Sequence, residues 1–262
     1  MFPIRGLLLD VDGVLHVSMR PIAGAVETLR WLELHGYRFC FVTNTTTMAR
    51  ATLAARLQSI GLPISEQQLI TAPVATASYI RQHFPGKRCW VLTKGDTIND
   101  FTGIQLVDMH EEADVVVIGG AEELLTYEAM NHAFRQVMNG AVLLGTHKNL
   151  YWKTAGGLML DSGAYIYALE LATGQQASIL GKPDRAFFAQ ALQSIGVAAN
   201  EAVMVGDDIE NDIAGAQRAG LRAILVCTGK HQPDSPLLQR IQPDAILPSI
   251  AELPGWLSTS HA

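Results

Sequence analysis

The feature that most constrains the fold of this chain is a short apolar run that stops at two carboxylates. Residues 7–9 are all leucine, and Asp10, Asp12 and Gly13 follow them. Such a run with a glycine turn behind it predicts a buried parallel strand. Acids at the end of that strand face the sheet edge where ligands bind, and two like charges there need a cation or a proton nearby. An ordinary Asp-Gly turn gives the same dipeptide, so the metal interpretation depends on the rest of the chain.

Strand and helix patterns alternate along the whole sequence, which predicts an α/β fold with a doubly wound parallel sheet. The predicted strands are Arg38–Thr43, Arg88–Leu92, Ile104–Val107, Asp114–Ile118, Ala141–Leu144, Ala202–Val205, Arg222–Val226 and Ala245–Leu247. The predicted helices are Ala23–His35, Thr47–Ile60, one from Thr71, Thr126–Asn139, Ala164–Ala172, Asp184–Ile195, Ile209–Ala219 and a short last helix from Ser249 that Pro254 and Gly255 end. The middle of the chain has its own alternation, so we expect a core of residues 1–75 and 180–262 with a second α/β domain inserted at 76–179.

Composition narrows the class of protein. The chain has 262 residues, 48% hydrophobic and 17% charged, with a net charge of -6 and no lysine or arginine block. This argues against nucleic acid or an anionic membrane as a partner, and the apolar runs are too short to span a bilayer. The N-terminus lacks a signal-peptide pattern, so we expect a cytoplasmic protein, with Cys40, Cys89 and Cys227 as reduced core thiols.

Three further polar segments follow apolar runs. Hydroxyl and amide side chains occupy Thr43–Thr47, where a helix start would bind an anion or be capped by threonine. Lys182 lies in a turn before a helix, where a solvated lysine is the common alternative. Four acids and an asparagine lie within residues 207–212, more than a helix N-terminus needs, and such oxygen ligands suit Mg²⁺.

All four segments lie at or after the carboxyl end of a predicted buried strand. In a parallel sheet those ends share one edge, so acids, an anion site and a lysine would meet there. That set of groups suits phosphoryl transfer, in which catalysis is mostly positioning and charge neutralisation.

These segments resemble the four motifs of the haloacid dehalogenase (HAD) superfamily, with its Rossmann-like core. The insertion, with Thr126–Glu128 and Thr146–Asn149, resembles the C2-type cap of the NagD-like subfamily (class IIA). The resemblance implies a Mg²⁺-dependent phosphatase acting on a small phosphorylated substrate. Asp10 would be the nucleophile that forms an aspartyl-phosphate, and Asp12 the general acid and base. Asp10, the Asp12 carbonyl and Asp207 would hold the metal.

The remaining residues of the motifs also receive roles from the resemblance. Thr43, Asn44 and Lys182 would bind the phosphoryl group. Asp208 and Asp212 would support the metal and the lysine without touching the substrate.

The loops of the cap would contact the leaving group, with Thr146, His147 and Asn149 as candidate residues. The cap would also form the interface of a homodimer. Two other functions remain open at this point. A metal-independent dehalogenase would use Asp10 alone, without need of Asp12 or the acids at 207–212. A phospho-Asp signalling module also places acids, a threonine and a lysine at strand ends, but is about half this length and lacks a large insertion.

Overall fold

The computed structural model describes residues 3–154, 157–230 and 233–259. The chain folds into two compact units. The first contains residues 1–43, 51–70 and 182–262, and the second contains residues 44–50 and 71–181. The second unit therefore includes the short segment 44–50 as well as the long central stretch.

The described strands are β1 (Gly6–Asp10), β2 (His16–Val17), β3 (Arg20–Pro21), β4 (Arg38–Thr43), β5 (Leu69–Thr71), β6 (Arg88–Leu92), β7 (Gln105–Leu106), β8 (Val115–Ile118), β9 (Val142–Gly145), β10 (Tyr151–Thr154), β11 (Gly157–Leu160), β12 (Ser178–Ile179), β13 (Ala202–Gly206), β14 (Arg222–Val226) and β15 (Ala245–Leu247). The α-helices are α1 (Ala25–Leu34), α2 (Arg50–Ser59), α3 (Ala72–His83), α4 (Tyr127–Met138), α5 (Ser162–Thr173), α6 (Arg185–Ile195), α7 (Gly215–Arg218) and α8 (Leu253–Thr259). None of these helices is long and apolar enough to cross a membrane.

The first unit is built on a six-stranded sheet in the order β15-β14-β13-β1-β4-β5. Strand β1 pairs in parallel with both β4 and β13, and β13 pairs in parallel with β14. All five residues of β1 and of β13 are buried, which explains their unbroken apolar sequences. The carboxyl ends of β4, β1, β13 and β14 therefore lie side by side at one edge of the sheet.

The second unit has its own parallel sheet, in the order β12-β9-β8-β6-β7, and its own buried core. An antiparallel hairpin of β10 and β11 lies outside that sheet. Two α/β units with parallel sheets confirm the predicted fold class. The short hairpins and the edge strands β5 and β12 are absent from the sequence prediction.

Several predictions of local structure are wrong. Helix α2 begins at Arg50, three residues later than predicted. Pro254 and Gly255 do not end the last helix but lie in the first turn of α8, where proline is tolerated because its missing N–H would be unpaired anyway. Cys40 and Cys89 are buried free thiols as predicted, but Cys227 is exposed, because it lies just past the end of β14.

Candidate active site

A buried lysine and two buried aspartates lie at the carboxyl edge of the first unit's sheet. The Lys182 ammonium donates to Oδ1 of Asp10 at 2.5 Å and to Oδ1 of Asp212 at 2.7 Å. It also lies 3.4 Å from the carbonyl oxygen of Val42. Three acceptors match the three donors of an ammonium group, so this charge is stabilised despite its burial.

The sheet explains why residues so distant in sequence meet. Asp10 is the last residue of β1 and pairs in register with Val42 of β4. Gly206 ends β13 on the other side of β1. A Cβ atom at Gly206 would lie 2.3 Å from the Cβ of Asp212 and 2.4 Å from its carboxylate, so only glycine lets Asp212 reach the strand end.

The acidic segment after β13 is fixed by its own hydrogen bonds. Asp208 caps the following helical segment, since its Oδ1 accepts the N–H groups of Glu210 and Asn211 at 3.1 and 3.0 Å. Oδ2 of Asp212 in turn accepts the N–H of Asp208 at 3.1 Å. Both oxygens of Asp212 therefore have partners, since one accepts from Lys182 and the other from the main chain.

The charges of this cluster fit a divalent cation. Asp10, Asp207 and Asp212 are buried, and one oxygen of each lies within 4.8 Å of the others. Three carboxylates against the single ammonium of Lys182 leave two uncompensated negative charges, counted over these four buried groups. Buried uncompensated charge is costly, and hard oxygen ligands of this kind suit Mg²⁺.

Burial also changes the pKa values of these groups. Desolvation raises the pKa of Asp10 and of Asp207 to about 6 and that of Asp212 to about 7, although the positive charge of Lys182 opposes each shift. Burial opposes the charge of Lys182, but Asp10 and Asp212 outweigh it and hold the lysine pKa above its ordinary value. The acids are therefore reluctant to ionise together without an added cation.

We expect a divalent cation to stabilise the protein more at about pH 8 than at about pH 5, because the ligands must be ionised to bind it. The raised pKa values mean that the folded state binds more protons than the unfolded chain between about pH 4 and pH 7, so the free energy of unfolding falls as pH rises through that window. Mg²⁺ would offset that loss at the upper end. Thermal unfolding with Mg²⁺ or with NaCl at equal ionic strength measures the effect, and an equal Mg²⁺ shift at both pH values would contradict it.

Asp12 is placed differently from the buried acids. Its side chain is 62% exposed, and its Oδ1 lies 3.6 Å from Nε2 of His16, whose ring is buried. The other ring nitrogen of His16, Nδ1, has no hydrogen-bond partner among the described residues. Asp12 can therefore reach a ligand from solvent, while His16 limits the directions that its carboxylate takes. Nothing in the sequence pattern marked His16.

The polar segment predicted to bind an anion leads into the start of helix α2. Thr43 ends β4 and is buried beside the acidic edge. The first N–H groups of the helix, however, have internal partners: that of Ala49 donates to Asp96 at 2.8 Å, and that of Arg50 donates to Asp100 at 3.1 Å. Asp96 and Asp100 therefore occupy two of the main-chain donors at this helix start.

Asn44 and the loop candidates lie in the second unit. A Cβ atom at Gly181 would lie 2.2 Å from the Thr146 carbonyl oxygen and 2.9 Å from Oδ1 of Asn44, which places these two residues against Gly181. The Thr146 hydroxyl is buried and has no hydrogen-bond partner among the described residues.

His147 is buried rather than exposed on a loop. Its Nδ1 accepts the N–H of Asn149 at 3.4 Å, and its Nε2 lies 3.3 Å from the hydroxyl of Ser162 and 3.7 Å from Asp161. Burial lowers the pKa of His147, so a neutral ring holds the loop to the start of helix α5. Asn149 is half-buried and is the more accessible of the two.

Comparison with known proteins agrees with this geometry. A family described as haloacid dehalogenase-like hydrolase matches residues 7–107, and a HAD-hydrolase-like family matches residues 179–253. The human phospholysine phosphohistidine inorganic pyrophosphate phosphatase is 40% identical over 255 residues, which cover 95% of this chain and 92% of that protein. The bovine haloacid dehalogenase-like hydrolase domain-containing protein 2 is 38% identical over 87% of this chain and 86% of its own length.

Solved structures give the same result over nearly the whole chain. The p-nitrophenyl phosphatase from Archaeoglobus fulgidus has a TM-score of 0.90 at 28% identity and covers 97% of this chain and 99% of its own. NagD from E. coli K-12 has a TM-score of 0.84 at 27% identity and covers 96% and 98%. The chain therefore belongs to the haloacid dehalogenase-like hydrolase family. Within that family it is a NagD-like phosphatase.

Proposed function

We propose that this phosphatase uses Mg²⁺ and forms an aspartyl-phosphate on Asp10 while hydrolysing a small phosphorylated compound. The observation that carries the proposal is the buried contact of Asp10, Lys182 and Asp212, with Asp207 beside them. Neither a polar turn nor a helix cap requires that arrangement. It is the arrangement that a carboxylate nucleophile needs when its target carries negative charge.

The proposed reaction has two steps. In the first, Asp10 attacks phosphorus through Oδ2, the P–O bond to the leaving group breaks, and Asp12 donates its proton to the leaving oxygen. In the second, Asp12 takes a proton from water as the water oxygen attacks the same phosphorus, which releases phosphate and restores Asp10. Lys182, bonded to Oδ1 of Asp10, keeps the attacking carboxylate oriented in both steps.

The repulsion between Asp10 and the phosphate dianion is the main barrier that the site must offset. It amounts to about 4 kcal/mol per pair of unit charges at about 4 Å and an effective dielectric constant of about 20. Asp10, Asp207 and the main-chain carbonyl of Asp12 would hold the Mg²⁺, which supplies positive charge to the transferring phosphoryl group. Thr43, Asn44 and Lys182 would bind the other phosphoryl oxygens.

We propose the inserted domain, residues 76–179, as the cap that excludes water during the reaction. Thr146 and Asn149 remain candidates for contact with the leaving group, and His147 would act by holding their loop. The name of the human relative suggests phospholysine, phosphohistidine and pyrophosphate as the first substrates to test, together with p-nitrophenyl phosphate. We propose a cytoplasmic location, with no nucleic acid or membrane partner.

We also propose a homodimer formed through the second unit. Its hairpin exposes three successive apolar side chains of β11, Leu158, Met159 and Leu160, which are 69%, 49% and 60% accessible. Tyr151 on the paired strand is 61% accessible. A cluster of exposed apolar residues of this kind is typical of an interaction site, and sedimentation velocity of the intact chain measures the oligomeric state directly.

The central test of the proposed function is phosphate release from p-nitrophenyl phosphate with Mg²⁺ and after chelation. We expect turnover with the metal, its loss with excess chelator and its return when Mg²⁺ is added back. Halide release from a 2-haloacid without metal would favour the dehalogenase instead. A long-lived phosphorylated Asp10 without turnover on any phosphoester would favour the signalling module.

A further inference from the structure

The loop after strand β14 closes on the acidic cluster, and no sequence motif predicted it. Three successive residues make the contacts. The hydroxyl of Thr228 donates to the carbonyl oxygen of Gly13 at 2.5 Å. The main-chain N–H of Lys230 donates to Oδ2 of Asp207 at 2.7 Å. We call residues 228–230 the strap.

Sterics show how tightly the strap and the loop after β1 approach Asp207. A Cβ atom at Gly13 would lie 2.0 Å from Oδ2 of Asp207, and one at Gly229 would lie at the same distance from the same oxygen. A Cβ atom at Gly229 would also lie 2.6 Å from the Cα of Gly13. Both glycines have positive φ angles, +80° and +78°, which other residues adopt only with strain. The two loops therefore pack directly against one carboxylate oxygen.

These contacts fix Oδ2 of Asp207 and leave the rest of the carboxylate to bind a ligand. Groups that orient a metal-binding side chain in this way set the affinity of the site, since a misoriented carboxylate must reorganise before it binds. Within the part of the chain that the structure describes, the Thr228 hydroxyl joins the strap to the loop after β1 by a side-chain hydrogen bond. Its loss would let the strap, and with it the N–H of Lys230, move away from Asp207.

We propose that Thr228 is a positioning residue that holds Asp207 in the orientation required for the divalent cation. This inference rests on the proposed function, because it assigns Asp207 to the metal. The side chain of Thr228 touches no reacting atom in the proposed mechanism. Its effect on the reaction is carried by the strap, from the Gly13 carbonyl through the Lys230 N–H to Asp207.

The test compares Mn²⁺ binding to the intact wild-type chain and to Thr228→Ala, measured by isothermal titration calorimetry. We expect Thr228→Ala to weaken Mn²⁺ binding about 10-fold, as loss of an outer-shell partner typically does. The value of kcat/KM for p-nitrophenyl phosphate should fall in parallel at limiting Mn²⁺ and recover as Mn²⁺ is raised. Thr228→Ser keeps the hydroxyl and should restore binding to within about twofold.

Thr28→Ala is the matched control. The buried Thr28 hydroxyl also joins distant segments of the first unit by donating to a main-chain carbonyl, that of Ile250, at 3.2 Å. We expect this variant to lose stability without a change in Mn²⁺ affinity. A purely structural role for Thr228 predicts the same behaviour at both positions.

The outcomes separate this inference from the proposed function. If the wild-type chain binds no Mn²⁺, the metal assignment itself fails. If the wild-type chain binds Mn²⁺ and folded Thr228→Ala binds it equally well, the positioning role is overturned and the proposed function stands. If Thr228→Ala does not fold, Thr228→Ser and Gly229→Ala still decide the question. Thr228→Ser must bind Mn²⁺ as tightly as the wild type. Gly229→Ala, whose added methyl group would push on Oδ2 of Asp207, must weaken Mn²⁺ binding in any folded fraction.

Discussion

Replacing Asp10 with asparagine is expected to lower phosphate release from p-nitrophenyl phosphate by about 10⁴- to 10⁶-fold, the range seen when a catalytic nucleophile is removed. The amide has nearly the same shape as the carboxylate but is a far weaker nucleophile. It also removes one of the two uncompensated negative charges of the buried cluster. We therefore expect the metal-free variant to unfold at no lower temperature than the wild type, and calorimetry together with a phosphate assay measures both results.

The control for this variant is Asp244→Asn. Asp244 also accepts a main-chain N–H in the first unit, from Ala223 at 2.8 Å, but it lies at the opposite end of β14 from the acidic residues. Asp244→Asn should release phosphate from p-nitrophenyl phosphate at the wild-type rate. Full activity of Asp10→Asn would reject the aspartyl-phosphate mechanism, whereas a loss of activity that accompanies unfolding would say nothing about the nucleophile.

The sequence predicts those residues of the site that lie within a few positions of the carboxyl end of a strand. Asp10, Lys182, Asp207 and Asp212 each follow an apolar run. The rule that parallel strands share one carboxyl edge is enough to bring them together. Their contacts, with Lys182 between Asp10 and Asp212, agree with that expectation. The catalytic and metal-binding roles of these residues stay predictions until the variants are measured.

The parts that the sequence does not predict depend on packing between distant segments. The polar run after β4 looks like an anion-binding helix start, yet Asp96 and Asp100 accept the N–H groups of Ala49 and Arg50 at the beginning of that helix. Nothing in the sequence near residue 47 indicates that two distant aspartates accept these N–H groups. His147 looks like an exposed loop residue because its neighbours are polar, and only the tertiary fold places it against Ser162.

The strap is a second feature that the sequence does not predict, although it contacts a residue that the sequence does predict, Asp207. Thr228, Gly229 and Lys230 follow the apolar run of β14 in the sequence, but none of them is a carboxylate or another residue typical of a metal site. Their significance comes from the order of the strands, because β14 lies next to β13 and delivers its following loop to Asp207. Sequence patterns identify groups that carry chemistry, whereas groups that orient them are recognised from main-chain contacts.

Replacing Lys182 with methionine is expected to have the largest effect on stability at this site. The change leaves Asp10 and Asp212 buried without the ammonium that contacts both. Breaking a buried ion pair by removing one partner typically costs about 3–5 kcal/mol. The pKa values of both acids, already raised by burial, should rise further, so the loss is greater at about pH 8 than at about pH 5, where the carboxyls are protonated. Urea unfolding at the two pH values measures the difference.

A double variant separates the lysine's two partners. Adding Asp212→Asn to Lys182→Met removes one of the stranded charges, so part of the lost stability should return, and comparison with Asp212→Asn alone gives the coupling between Lys182 and Asp212. Phosphatase activity should be absent in Lys182→Met and in the double variant, because both lack the ammonium group that contacts Asp10. Lys94→Met is the matched control, since Lys94 pairs with Glu122 and Glu123 at 2.6 and 2.8 Å in the second unit but at a partly exposed position, where solvent weakens ion pairs. A loss of stability at Lys94 equal to that at Lys182 would mean that burial of the Asp10 contact is not what makes Lys182 important.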